Sequence, residues 1–270
     1  MIKDITIGQY YPAKSILHRL DPRVKFVGTI AFLISLFVAD SLWGYLLATA
    51  FLAVVIVLSK VPVKFMMKGL KPLFFIFILT VAFNLFLVPG KVVVQIWILK
   101  ITEEGIRQAI KIGIRLIYLV MGSSVMTLTT TPNQLTDGLE KLMRPLNKIK
   151  VPVHEIAMMM SIALRFIPIL LEETDKIMKA QMARGADFES GNLLLRVKNM
   201  IPLLVPLFVS AFRRADDLAM AMEARCYNGG EGRTKMKPLR YAGVDHKAYV
   251  LVIGYFVVIL LCRFFLPFPQ

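Results

Sequence analysis

Long uninterrupted apolar runs constrain this chain more than any other feature. They cover Phe26 to Ala39, Leu42 to Leu58 and Leu73 to Val88, then about Ile106 to Leu128, and finally Tyr249 to Phe265. A helix that crosses a bilayer needs ~20 apolar residues, with ~17 at the low end, so flanking residues must complete the shorter runs. Apolar residues make up 57% of the chain, against the ~45–50% usual in soluble domains. The expected fold class is an all-α integral membrane protein with about five transmembrane helices. The breaks agree. Asp21-Pro22 suits the first turn of a helix, Asp40-Ser41 makes a very short turn between the first two runs, and Pro89-Gly90 closes the third.

Val92 to Leu99 is too short to span and is rich in β-branched residues, so it reads as strand-like or interfacial, with Trp97 suited to a membrane interface. Thr102-Glu103-Glu104 is a helix start. In the span that follows, Arg107, Lys111 and Arg115 recur every four residues and share a face. The first two can reach the interface along their stems. Arg115 lies deeper and must face another helix or a wet cavity, as a structural or a functional charge.

From Thr129 to Lys247 the pattern changes: 18 Lys/Arg and 13 Asp/Glu alternate with apolar residues at helical spacing. Pro152 opens one long helical pattern that continues to about Ala186. Asn192 opens a second, containing Pro202 and Pro206, that reaches about Tyr227 before Gly229-Gly230-Glu231-Gly232 stops it. The predicted division is residues 1–128 for the N-terminal tail and spans 1–4, 129–248 for a cytoplasmic domain of long helices, and 249–270 for the last span and tail.

The net charge of +15 fits either a nucleic-acid footprint or the Lys/Arg bias of cytoplasmic loops, and the apolar runs favour the second. With the N-terminus inside, the inner segments carry 5 Lys/Arg (residues 1–25), 4 (59–72) and 18 (129–247); the outer ones carry none (40–41), 2 (89–105) and 1 (Arg263). The expected topology has the N-terminus in the cytoplasm and the C-terminus outside, in the cell membrane. No nucleic-acid partner is expected. Cys226 and Cys262 make neither a disulfide framework nor a zinc pattern, and His154-Glu155 lacks a second histidine because position 158 is Met. No Gly-x4-Gly-Lys-Ser/Thr nucleotide loop occurs. Arg213-Arg214-Asp216-Asp217 reads as intrahelical pairing on a solvated face.

Two short motifs stand out. Ala183-Arg184-Gly185 closes the first long helical pattern, and Ala224-Arg225-Cys226 closes the second. Ile177, Ala180 and Arg184 share a helix face, as do Ala215, Leu218, Met222 and Arg225, so each arginine continues an apolar stripe. Such an end can be core with a cation favoured by the helix dipole. It can equally be a docking end, with the stripe filling a partner's groove and the guanidinium forking onto a carboxylate. Met158, Met159, Met160, Met178 and Met182 fit core filling or a surface that re-packs against a moving partner.

These motifs, with Ser15-Ile16-Leu17-His18-Arg19-Leu20-Asp21-Pro22-Arg23-Val24-Lys25, Thr130-Thr131-Pro132 and Leu164-Arg165-Phe166-Ile167-Pro168, resemble one family. It is the transmembrane coupling subunit, or T component, of energy-coupling factor (ECF) vitamin transporters. The resemblance covers nearly the whole chain; Cys226 stands where Gly or Ser is the family's pattern. It implies a non-catalytic subunit whose cytoplasmic coupling helices dock their Ala-Arg-x ends, here Ala183, Arg184, Gly185, Ala224, Arg225 and Cys226, into two ABC-type ATPases. It further implies that ATP-driven motion passes to a separate membrane-embedded S component that binds the vitamin or metal ion. ATP and Mg then belong to the ATPases, and the chain holds no cofactor or metal of its own. The alternatives are a self-sufficient membrane permease or channel, which must draw on Asn84, Arg115 and Ser123-Ser124, or a membrane-embedded enzyme with clustered acids.

Overall fold

Helices in the computed structural model begin where the sequence offers a cap. The structure describes residues 10–39, 41–96, 99–186, 188, 193–230, 234–236 and 238–265. Ser15 caps the single turn α1 (Ile16–Arg19), its hydroxyl accepting from the His18 N–H. Asp21 caps α2 (Pro22–Val38) by accepting from the Arg23 N–H, and Pro22 takes a position whose N–H would be unpaired anyway. Ser41 caps α3 (Leu42–Ser59) in the same way through the Gly44 N–H. A short α4 (Val63–Lys68) and a 3-10 turn lead into α5 (Phe74–Leu87).

The β-branched segment then forms β1 (Val92–Ile96), which pairs antiparallel with β2 (Leu99–Thr102) in the register Gln95↔Lys100 and Ile96↔Leu99. This hairpin is the one sheet among the described residues. Trp97 lies outside them, as do Asp40, Asn192, Glu231 and Gly232. Thr102 caps α6 (Glu103–Thr129), with Glu103 and Glu104 in the first turn where the helix dipole favours acids. There follow α7 (Pro132–Met143), a 3-10 turn, α8 (Val153–Ala183), α9 (Leu193–Glu223) and α10 (Gly243–Phe265).

The chain divides into two compact units, Gly8–Gly138 with Leu239–Gln270, and Leu139–Pro238. In the first unit α2 packs on α3, α6 and α10, and α5 packs on α6. Its centre is a cluster of Phe32, Leu36, Ala39, Ala48, Leu52, Tyr255 and Ile259. Phe51 stacks on Tyr255 at 4.0 Å between ring centroids, and the Tyr255 hydroxyl meets the Ser35 hydroxyl at 2.7 Å, so the one polar atom of the ring is paired. Gly122 on α6 lets α2 approach closely: a Cβ there would sit 2.6 Å from the Phe32 ring.

Outside this core many large apolar side chains of the unit are exposed. Phe37, Leu42, Trp43, Phe74, Phe75, Ile76, Val250 and Ile253 all turn outward. An exposed apolar surface of this extent has hydrocarbon, not water, as its solvent. Among the described residues, five helices are long and apolar enough to cross a membrane: α3, the α4–α5 stretch Val63–Leu87, α6, α8 and α10. The number matches the sequence reading but the membership differs. At 17 residues, α2 falls at the short limit of a span, while α8 qualifies on length and on the apolar character of its first half.

Candidate functional site

The second unit is built on two helices of equal length, α8 and α9, each of 31 residues. They pack against each other. Glu173 on α8 accepts hydrogen bonds from Ser210 and from Arg214 on α9, the latter at 2.9 Å. Further along α8, the Gln181 side-chain amide donates to the Pro202 carbonyl at 3.5 Å. Positions that rise along α8 meet positions that fall along α9, so the pair is antiparallel. The Gln181 bond has a local cause. Pro206 has no N–H to give the carbonyl four residues before it, and Gln181 reaches across to that carbonyl. Arg214 corrects the sequence reading: it pairs between helices and not along its own, because Ser210 and Arg214, four apart, both face α8.

The two Ala-Arg-x motifs end these helices with one shared backbone design. At the end of α8, the Gly185 N–H bonds the Met182 carbonyl and the Ala186 N–H bonds the Gln181 carbonyl, both at 3.0 Å. At the end of α9, the Cys226 N–H bonds the Glu223 carbonyl at 2.8 Å and the Tyr227 N–H bonds the Met222 carbonyl at 3.0 Å. Both are Schellman caps. The third residue of each motif is left-handed, Gly185 at φ 88° and Cys226 at φ 54°. The arginine before it is the capping residue in both. The motif's third position is therefore small for a conformational reason as well as a steric one. A left-handed residue with a Cβ costs ~1–2 kcal/mol.

Cys226→Gly is accordingly expected to stabilise the end of α9 by ~1 kcal/mol, and Gly185→Ala to weaken the end of α8 by a similar amount. Amide hydrogen exchange at Tyr227 and Ala186 checks both. Equal exchange in variant and parent at both sites would show that the caps do not depend on the left-handed residue.

All six residues, Ala183, Arg184, Gly185, Ala224, Arg225 and Cys226, are exposed. Neither guanidinium forms an ion pair within the described residues. Because the helices run antiparallel, the two ends point opposite ways along the pair. From Pro202, which lies beside Gln181, to Arg225 the chain advances by 23 residues, or about 35 Å at helical rise. Between the ends α9 exposes Ile201, Leu204, Val205, Phe208 and Phe212, a stripe at helical spacing with no cover among the described residues. On α8, Met159, Met160 and Met182 are about half exposed, which places them on a surface and not in a core.

The segment that leaves α9 is held to the beginning of α8. Glu140 on α7 accepts from Lys235 and from His154 Nδ1, the latter at 3.0 Å. Burial pushes the Glu140 carboxyl up, but the hydrogen bonds and charges of Lys235 and His154 outweigh it and hold the group below its ordinary value. Gly230 lies against the His154 ring with no room for a Cβ. The sequence shows His154 only as half of a metal motif; its partner Glu140, 14 residues earlier, carries no spacing signature. No group of three His, Cys, Asp or Glu that could hold a metal gathers among the described residues.

In the first unit, Arg115 donates to the Tyr45 hydroxyl at 3.1 Å and its guanidinium lies 5.3 Å from the Phe37 ring centroid. It faces α3 and α2. Asn84 donates to the Thr80 carbonyl, and Ser123 to the Leu119 and Val120 carbonyls. Asn84 and Ser123 turn to their own helices while Arg115 faces its neighbours, so the three do not converge on a path.

The cobalt transport protein family, CbiQ, matches residues 13–236. The chain is 57% identical over 260 residues, 96% of each chain, to a protein of Ruminiclostridium cellulolyticum named energy-coupling factor transporter transmembrane protein EcfT. Proteins of the same name from Bacillus subtilis and Lactococcus lactis are 50% identical over 254 residues, 94% of this chain and 96% of that one, and 44% identical over 261 residues, 96% of this chain and 98% of that one.

Proposed function

This chain belongs to the CbiQ cobalt transport protein family, as a transmembrane component of energy-coupling factor transporters, and on that premise we propose that it couples two ATPases to a separate substrate-binding membrane protein. It is a multi-pass membrane protein. The observation that carries the proposal is the pair of matched, exposed Ala-Arg-x caps at opposite ends of an antiparallel helix pair. Two like ends about 35 Å apart suit two like grooves, one on each ATPase.

In this reading α8 and α9 lie on the cytoplasmic side, with the N-terminus inside and the C-terminus outside. The character of α8 supports that placement. Its second half carries Glu172, Glu173, Asp175, Lys176 and Lys179. The uncovered stripe on α9 suits the apolar surface of an S component, and the cargo is a vitamin or a metal ion. ATP and Mg bind the partners, and this chain supplies no chemistry.

Purification of the tagged chain from its host tests the reading. Two ABC-type ATPase chains are expected to elute with each copy. ATP hydrolysis is expected only from that complex. Hydrolysis by the lone chain, or transport by it without ATPases, would refute the coupling role.

A further inference from the structure

Within the first unit, a cleft of about 260 Å³ lies between α2, α3, α6 and α10, with α1 beside it. Its wall is apolar, formed by Val24, Phe32, Leu52, Val125, Leu251 and Val252 among others. From Val24 to Phe32 it follows about 12 Å of α2. Two cations line it, Lys25 near the beginning of α2 and Lys247 near the beginning of α10, and these two helix beginnings are joined by the Asp21 to Asp245 hydrogen bond. Lys25 is buried and donates to the Thr129 carbonyl at 2.8 Å. Lys247 is exposed and forms no ion pair within the described residues.

An apolar cavity of ~150 Å³ stays dry and takes up small hydrocarbons. This one is larger, offers water few polar partners, and sits in a protein whose surroundings are acyl chains. The charge at its mouth selects among lipids. The nearby carboxylates of Asp21 and Asp245 are buried and turned to backbone N–H groups and Arg23. Lys14, Arg19 and Lys247 are exposed around the same end of the unit. What a lipid headgroup meets there is positive.

We propose that the cleft holds one acyl chain of an anionic phospholipid, whose phosphate sits at the Lys247 ammonium. The lipid then completes the contact among α2, α6 and α10 that these helices leave unfilled. This inference rests on the membrane setting of the unit and is independent of ATPase coupling.

Native mass spectrometry of the full chain tests it, after exchange into bilayers of equal dioleoyl phosphatidylglycerol and dioleoyl phosphatidylcholine. One retained phosphatidylglycerol per chain is expected, about fivefold over phosphatidylcholine, the preference that one surface cation confers. Lys247→Gln should bring the two lipids near parity. This change is at an exposed position and leaves the fold intact. Ala248→Trp should fill the cleft and remove the retained lipid. Equal retention of both lipids by the parent, or retention unchanged by Ala248→Trp, marks loosely held surface lipid and overturns the proposal. Loss of the lipid when partner subunits bind assigns the cleft to a partner helix and overturns it too.

Discussion

Alanine at both Arg184 and Arg225 is expected to release the ATPases altogether, while either change alone leaves a complex that still co-purifies and no longer transports. Both side chains are exposed on rigid helix caps, so their guanidinium groups are presented with little backbone freedom left to lose. A forked contact with a carboxylate in a partly desolvated groove is shorter and stronger than a neutral hydrogen bond. Removing one side of such a pair costs ~2–5 kcal/mol, much of it from the charge left unpaired. At ~1.4 kcal/mol per tenfold, one truncation weakens its site ~30-fold or more. The second site then holds the complex by proximity, and that avidity disappears when both arginines are gone. Arg→Lys should rescue poorly, because an ammonium has no planar fork. If the arginines acted only as cations on a helix dipole, lysine would serve as well. A pull-down with the Arg184→Ala/Arg225→Ala variant decides: full recovery of the ATPases ends the docking account.

The features that were legible in the sequence are local ones. Thr102 before Glu103-Glu104, Asp21 before Pro22, and the small residues after Arg184 and Arg225 each act within one helical turn. Helix limits therefore follow closely: α8 ends at Ala183 and α9 at Glu223. The likeness of the two Ala-Arg-x motifs is written in the sequence; its backbone cause is not, since nothing in the letter Cys226 announces a left-handed residue. The segment Val92 to Leu99 reads as strand-like or interfacial, but its pairing partner Leu99–Thr102 carries no strand signal of its own, since Thr102 reads as part of a helix start. Long-range pairs left no trace. Arg214 has acids beside it on its own helix, yet bonds Glu173 across the pair, 41 positions away. Residues 21–25 carry family resemblance as a string, and their physical reason lies 224 positions away at Asp245.

That reason makes Asp245 the position in the first unit where a single change should cost most. Its side chain is 2% exposed. It accepts from the Asp21 N–H at 2.9 Å and the Ala242 N–H at 2.7 Å, and so joins the beginnings of α2 and α10. Asp21 in turn takes a two-point contact from Arg23, at 3.0 and 2.8 Å, and the Arg23 guanidinium lies 3.8 Å from the Tyr241 ring centroid. Beside them Lys25 places its ammonium on the last carbonyl of α6, where the helix dipole favours a cation. Acids at helix beginnings and a cation at a helix end each suit the local field, which is how several charges stay buried together. Asp245→Ala leaves the buried Asp21 N–H and the part-buried Ala242 N–H without their acceptor and removes a negative charge from the neighbourhood of Lys25. Breaking a buried charged network in this way costs ~3–5 kcal/mol. For a chain of this size that lowers the melting midpoint by ~10 °C. Asp245→Asn keeps one acceptor oxygen and should lose ~1–3 kcal/mol. Thermal unfolding of the purified protein in detergent measures both. A midpoint for Asp245→Ala within ~2 °C of the parent, below what 1 kcal/mol would shift, would show that the helices are held by their apolar contacts alone.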